Sequence, residues 1–490
     1  MNLNHRRALY RLVTPLLLGL SGVSPITQAA PVDQQGRLCH LPGSEEGLRC
    51  LRVNVPLTYR GARPNAGSAP HLSLHVTIAP AFREAARPDP LFILAGGPGE
   101  AGSDVLPLLG NTFRRVRATR DIIFIDQRGT GLSGKLDCNS DSAPDSLTEA
   151  DQERQLRACL AATKAPLAAY STENAAHDLD QVRRALGYRQ VNLWGGSYGT
   201  RLAQAYARLY PTSVRALMLD GVAAPDQIIP AGGRDGQAAL DLLFQQCAKS
   251  PACQRAYPAL RQEFAALAAR VAAGAIKLTM PDPRTAEPAE VTVSSARFLS
   301  IVHSVLYSAQ DSRRLPFLIH SAYQGRWAPF IARRNVASDL SNEGGVATVM
   351  HLAVVCAEDL PRLSPAMAAD DARGSFMGGE RIDQLRALCK AVPVAPVPYR
   401  APASIAAPVL MFSGALDPVT PPRRAVAAGA AMLHAQHIVV QNVGHGVSQL
   451  GCAPRLLREF LDRPHAPLQA TCLNEIAAPA FQVGNAGPQP

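Results

Sequence analysis

Five consecutive residues, Gly195-Gly196-Ser197-Tyr198-Gly199, constrain this chain more than any other stretch. They follow the apolar run Val191-Asn-Leu-Trp194 directly, and Thr200 to Tyr210 after them reads as a helix. A serine at a sharp strand-to-helix turn is held in a strained backbone conformation, and flanking glycines remove side chains that would clash there. The pattern G-x-S-x-G between a strand and a helix therefore asks for a sheet whose strands end at one edge in tight loops. A glycine-rich turn with a chance serine is the alternative, and the flanking elements argue against it. The rest of the chain supplies such a sheet. Leu91-Phe-Ile-Leu94, Ile122-Ile-Phe-Ile125, Ala216-Leu-Met-Leu219 and Val409-Leu-Met-Phe412 are short apolar runs that stop at Gly- or Asp-rich turns. Runs of this kind, separated by helical stretches, are buried parallel strands joined by βαβ crossovers, so the fold class is α/β with a mostly parallel sheet flanked by helices. Ahead of them, Leu51–Pro56 and His71–Ile78 alternate apolar and polar residues, as half-buried antiparallel strands do.

The rhythm breaks between Ala224 and about Ser404. Pro258 to Gly274 places Leu260, Phe264, Leu267 and Val271 on one helical face, with Pro opening and Gly closing it, and Phe298, Ile301, Val302, Val305 and Leu306 trace a second stripe. A chain of 490 residues exceeds what one compact core usually holds. The expected organisation is a leader at 1–29, a first core part at 30–223, a large helical cap insertion at 224–404, a second core part at 405–475 and a loose tail at 476–490.

The N-terminus is different in kind. Arg6, Arg7 and Arg11 precede the apolar run Leu12 to Val23, and Thr27 and Ala29 suit cleavage after Ala29. The run is shorter than the roughly 18 residues a membrane span needs, so a removable signal peptide and no stable membrane insertion are expected. Losing 1–29 removes three arginines and no acids, which takes the formal charge from +10 to +7. The remaining basic residues are scattered and form no like-charge run, which speaks against nucleic-acid binding. Export, to a periplasm or beyond, places the ten cysteines where disulfides form. Spacing does not fix their connectivity; the adjacent pairs Cys39/Cys50, Cys138/Cys159, Cys247/Cys253, Cys356/Cys389 and Cys452/Cys472 are favoured because each closes a short loop. Neither C-x-x-C nor H-E-x-x-H occurs, so no metal site is expected, and no cofactor.

A serine hydroxyl is a weak nucleophile without a base, so a histidine and an acid must accompany Ser197. Asp417 lies just past Val409–Phe412 in Ser413-Gly-Ala-Leu-Asp-Pro-Val-Thr420, and His445 follows His437-Ile-Val-Val440 in Asn442-Val-Gly-His-Gly446. The order serine, acid, histidine, each on a loop after a strand, is the one this kind of sheet requires. Asp220, at the end of an earlier run, is the competing acid. Ala95-Gly-Gly-Pro-Gly99 follows Leu91–Leu94, and the N–H groups of Gly97 and Tyr198 are the candidate oxyanion donors. A phosphate loop would need a G-K-[ST] that does not follow.

Gly96-Gly-Pro-Gly99, Asp126-Gln-Arg-Gly129 with Gly131 and Ser133, and Gly195–Gly199 together resemble the prolyl iminopeptidase family of serine peptidases. The Cys50–Tyr59 segment, the long insertion and the Asp417/His445 region look more like its secreted tripeptidyl aminopeptidase branch. The resemblance implies an α/β-hydrolase fold with a helical cap, and release of residues or short peptides from free N-termini of small peptides. It implies the roles already given to Ser197, Asp417 and His445. Cys356-Ala-Glu-Asp359 is similar to the family's Cys-x-Asp/Glu segment, which makes Glu358 or Asp359 a candidate partner for the substrate ammonium; a plain salt-bridged acid is the other reading. Glu100, where a small residue commonly follows the loop, is a further candidate, and Arg128 reads as a residue holding its own loop. A carboxylesterase or acyltransferase would use the same triad, and a non-catalytic binding protein of this fold would have lost part of it.

Overall fold

The computed structural model describes residues 36–59, 70–138, 149–281, 286–332 and 345–487; the expected leader at 1–29 lies outside them. The strands are β1 (Arg37–Cys39), β2 (Leu48–Pro56), β3 (His71–Ala79), β4 (Leu91–Leu94), β5 (Ile122–Ile125), β6 (Val191–Gly196), β7 (Val214–Asp220), β8 (Ile276–Pro281), β9 (Pro288–Val293), β10 (Val409–Gly414) and β11 (Ala435–Val440). Nine of them form one sheet in the order β1-β2-β3-β5-β4-β6-β7-β10-β11. The first pairings, β1/β2, β2/β3 and β3/β5, are antiparallel, and from β5 to β11 every pairing is parallel. The strands β4, β5 and β10 are buried along their whole length, as expected of runs covered on both faces. By contrast, β2 alternates buried and exposed residues.

The strand order reverses around β4, where crossovers depart to opposite sides, and such a switch point opens a crevice at the carboxyl ends of the strands. Register places four loops on that edge: Leu94 of β4 pairs with Gly195 of β6, Gly196 with Asp220 of β7, Asp220 with Phe412 of β10, and Gly414 with Val440 of β11. The helix Tyr198–Leu209 packs on Thr172–Ala185, whose Ser171 cap accepts the N–H of Asn174. Arg128 is fully buried and forks onto both oxygens of Asp178 (2.7 and 2.6 Å) while donating to the Ala169 carbonyl (2.6 Å), so it fixes its loop as expected.

Between β7 and β10 the chain builds a second core of its own, in which Phe298 stacks between Phe264 and Phe330 at 5.9 and 5.1 Å. The two expected helices are Leu260–Ala273 and Ser295–Val305. This part of the chain is not wholly helical: β8 and β9 form an antiparallel hairpin whose Ile276-Lys-Leu-Thr-Met280 alternates, and Leu278 and Met280 cover the same core. Residues 476–490, expected to trail loosely, include an anchor. Phe481 is 7% exposed in that second core, Arg313 lies 4.4 Å over its ring, and the Tyr257 hydroxyl donates to the Gln482 carbonyl at 2.9 Å. Burying one aromatic ring is worth roughly 2–3 kcal/mol, enough to dock a short polar segment that composition alone marks as free. All five adjacent cysteine pairs are disulfides, with S–S distances of 1.91–2.01 Å. Among the described residues, no helix is long and apolar enough to cross a membrane.

Candidate active site

Ser197 sits where β6 turns into the helix Tyr198–Leu209, at φ 53° and ψ −123°. A non-glycine residue there costs on the order of 1–3 kcal/mol and persists only when its surroundings over-determine it. They do: the Ser197 N–H donates to the Asp220 carbonyl (2.9 Å) and the Ser197 carbonyl accepts from Thr200 N–H and Oγ1 (2.9 and 2.6 Å). The turn is also tight enough to require glycine, since a Cβ on Gly199 would lie 2.0 Å from the Leu94 carbonyl oxygen.

Asp417 and His445 follow β10 and β11. The imidazole Nδ1 lies 2.7 Å from Asp417 Oδ2, and the carboxylate is fully buried. Its other oxygen accepts the N–H groups of Val419 (2.9 Å) and Thr420 (2.8 Å). The Thr420 hydroxyl donates to Oδ2 at 2.7 Å and stands 3.1 Å from His445 Nδ1. An ionised carboxylate can only accept, so Nδ1 carries the proton shared with Asp417, which leaves Nε2 with a free lone pair. Burial works to lower the His445 pKa, but the charge and hydrogen bond of Asp417, with Asp220 and Glu100 behind them, hold it above the ordinary value. The same pairing holds Asp417 below the usual carboxylate range despite its burial.

Asp220, the competing acid, is used otherwise. Its carboxylate accepts the N–H groups of Val447 (2.9 Å) and Ser448 (2.7 Å), and so clamps the loop behind His445 without touching the ring's nitrogens. A Cβ on the next residue, Gly221, would lie 3.0 Å from His445 Cε1. The backbone that receives the Ser197 N–H is thus the backbone beneath the imidazole, and Ser197, Asp417 and His445 converge on one edge.

The Ala95–Gly99 loop closes over Ser197 from β4. A Cβ on Gly96 would stand 3.1 Å from Ser197 Cβ and 3.2 Å from Glu100 Oε2, so the serine and this carboxylate flank the same glycine. Glu100 Oε2 accepts the Gly96 N–H at 2.7 Å, and the Glu100 N–H returns to the Gly96 carbonyl at 3.3 Å. The Gly97 N–H donates to no group among the described residues, and Tyr198 N–H stands at the first turn of its helix, where backbone donors are unspent. From the insertion, Ala347 N–H donates to the Gly99 carbonyl (2.9 Å) and His351 Nδ1 to the Pro98 carbonyl (3.0 Å).

Glu358 and Asp359 are adjacent in sequence and separate in role. Asp359 is fully buried between Arg201 (2.9 Å) and Arg362 (2.7 Å), the salt-bridged reading. Glu358 accepts the Thr172 N–H (2.7 Å) and hydroxyl (2.6 Å), and that hydroxyl also lies 2.8 Å from the Tyr198 Oη. Burial raises the carboxyl pKa of Glu358, as it does for Glu100. Sequence reasoning missed Thr420 and Tyr307. Thr420 carries a local signal, an aspartate three residues earlier whose carboxylate caps the turn. Tyr307 carries none: it arrives from the insertion, its carbonyl accepts the His445 N–H (2.8 Å), and its ring meets the imidazole edge-on at 5.3 Å. A surface groove of about 1110 Å³ between Arg114, Arg115 and Arg455 contains none of these residues.

The chain is 33% identical over 235 residues to the serine protease Hip1 of Mycobacterium tuberculosis, a stretch covering 44% of this chain and 43% of that one. It is 29% identical over 198 residues to the tripeptidyl aminopeptidase of Streptomyces lividans, covering 37% and 36%. It is 29% identical over 145 residues to the proline iminopeptidase of Neisseria gonorrhoeae, covering 29% and 36%. The matched portion thus spans less than half the length of each of these relatives. Residues 89–448 match the model of the alpha/beta hydrolase fold family, and the chain belongs to that family.

Proposed function

We propose that this chain is an exported serine peptidase that releases residues or short peptides from free N-termini through an acyl-enzyme. The observation that carries the reading is the Asp417–His445 pair, its tautomer set by the carboxylate and the carboxylate held by Thr420, on the same sheet edge as the strained Ser197. Ser197 Oγ forms a bond to the substrate carbonyl carbon while its proton passes to His445 Nε2. The N–H groups of Gly97 and Tyr198 receive the charge that develops on the carbonyl oxygen. The C–N bond then breaks as His445 returns the proton to the leaving amine, and water, activated by the same imidazole, cleaves the ester.

The names of the three relatives, a serine protease, a tripeptidyl aminopeptidase and a proline iminopeptidase, favour a peptidase over an ester-specific enzyme. So do the recessed carboxylates Glu100 and Glu358, since an acid-lined site suits a substrate ammonium whereas a lipid esterase calls for apolar walls. The insertion at 224–404 acts as a cap that admits small peptides: it contributes Tyr307, Ala347 and His351 to the loops around Ser197. Five disulfides and the basic-then-apolar N-terminus support export. Matched coumarin amides with free and acetylated N-termini, run beside p-nitrophenyl acetate on wild type and Ser197→Ala, test the proposal. Turnover only of the free-amine amides, abolished in the variant, is expected; ester turnover with indifference to peptides would move the chain to the esterases.

A further inference from the structure

Glu100 is a recessed carboxylate whose only nearby cation among the described residues is the charged form of the catalytic His445. Its one side-chain hydrogen bond among the described residues is the 2.7 Å contact from Gly96 N–H to Oε2, and no lysine or arginine ion-pairs with it there. Its neighbour Asp104 is itself an acid, whose carboxyl is pushed up to about 6 by burial, with Glu100's charge adding to the effect. Other recessed acids of this fold are compensated, either by arginines, as Asp359, Asp178 and Asp235 are, or by two or more hydrogen bonds, as Asp220 is by Val447 and Ser448 and Glu358 is by Thr172. A carboxylate held away from water with a single hydrogen bond is costly, and a ligand cation would offset that cost at Glu100.

Its position says which cation. Glu100 Oε2 and Ser197 Cβ lie 3.2 and 3.1 Å from the same point, the place of a Cβ on Gly96. In an acyl group of one residue, the ammonium nitrogen is two bonds from the attacked carbonyl carbon, about 2.5 Å away, and each added residue carries it about 3.5 Å further. A carboxylate this close to the nucleophile meets the ammonium of the residue whose carbonyl is attacked; the ammonium of a tripeptidyl group would lie beyond it. Glu358, by contrast, has both oxygens already accepting from Thr172, whose hydroxyl lies 2.8 Å from Tyr198 Oη.

We propose that Glu100 anchors the α-ammonium of the residue directly preceding the scissile bond, so that this site removes one residue per cleavage. The inference rests on the aminopeptidase reading above. Glu100→Gln is the variant of choice, because its amide oxygen can still accept the Gly96 N–H while the charge is gone. Alanyl-, dialanyl- and trialanyl-coumarin amides are followed with wild type and variant, products are resolved by mass spectrometry, and p-nitrophenyl acetate reports the triad alone. Wild type is expected to shorten the longer substrates by single alanines. A charge-assisted contact of about 1.5–3 kcal/mol corresponds to a roughly tenfold to hundredfold loss of kcat/KM, here expected mainly in KM for the alanyl amide and exceeding any loss on the ester by at least about tenfold. Intact dipeptide or tripeptide release by wild type would overturn the proposal. Equal losses on amide and ester would also overturn it, reducing Glu100 to a brace for its loop. Wild-type indifference to a free amine would remove the aminopeptidase reading itself, an outcome separate from both.

Discussion

A single methyl group placed on Gly444 should disable the site from outside it. A Cβ there would stand 2.2 Å from the Tyr307 carbonyl oxygen and 3.0 Å from its carbonyl carbon. That carbonyl is the acceptor of the His445 N–H, at 2.8 Å. Retreat in the other direction is blocked, because the Gly444 carbonyl oxygen would lie 2.0 Å from a Cβ on Gly414, which leaves no slack between the loop and β10. Ordinary carbon–oxygen contact therefore requires a shift of about 1 Å, and the His445 backbone and Tyr307 must share it. A misplacement of that size in a catalytic constellation costs about 10²-fold, and overpacking of this kind destabilises by about 1–3 kcal/mol. Gly444→Ala should accordingly lower kcat/KM for p-nitrophenyl acetate about 100-fold while remaining folded by circular dichroism. Gly110→Ala, at a position with nothing within 4 Å, is the matched control. A folded Gly444→Ala enzyme within threefold of wild type would refute the claim that Tyr307 and the His445 loop are in rigid contact.

Thr420→Val removes the hydroxyl that donates to the Asp417 oxygen holding His445; kcat should fall roughly 10-fold with KM little changed, and an unchanged kcat in steady-state assays would count against that role. Because Asp417 outweighs burial and raises His445, the acid limb of the kcat/KM profile should lie above pH ~6.5, activity being lost as pH falls through the raised pKa. Asp417→Asn should move that limb downward and lower kcat by about 10⁴-fold, whereas an unmoved limb would assign it to another group. Asp359→Asn strands Arg201 and Arg362 against a buried neutral amide and should cost about 3–5 kcal/mol in urea unfolding; a loss below about 1 kcal/mol would mean the pair relaxes to solvent.

Much of the frame could be read from residues alone, for a physical reason. Runs such as Leu91–Leu94 and Val409–Phe412 are buried on both faces, so nothing but apolar side chains can occupy them, and their ends coincide with Ser197, Asp417 and the Ala95–Gly99 loop. The β8/β9 hairpin was hidden because Ile276–Met280 is short and alternates with Lys277 and Thr279, a weak signal amid helices. Phe481 was hidden because a single aromatic in a polar segment has no period. The site divides in the same way. Asp417 and His445 announce themselves through flanking glycines and order, and Thr420 through a local turn. Tyr307, 138 residues before His445 in the chain, meets it only through tertiary packing. Glu358 and Asp359 look equivalent in sequence; the arginines that single out Asp359 come from residues 201 and 362.

Covalent labelling tests the central claim most directly. Incubation of the purified protein with a fluorophosphonate, followed by intact mass and peptide mapping, should give one adduct, on Ser197, that is absent from Ser197→Ala and strongly slowed in His445→Ala. An adduct on another serine, or none under conditions where the protein turns over substrate, would contradict Ser197 as the nucleophile served by His445 and Asp417.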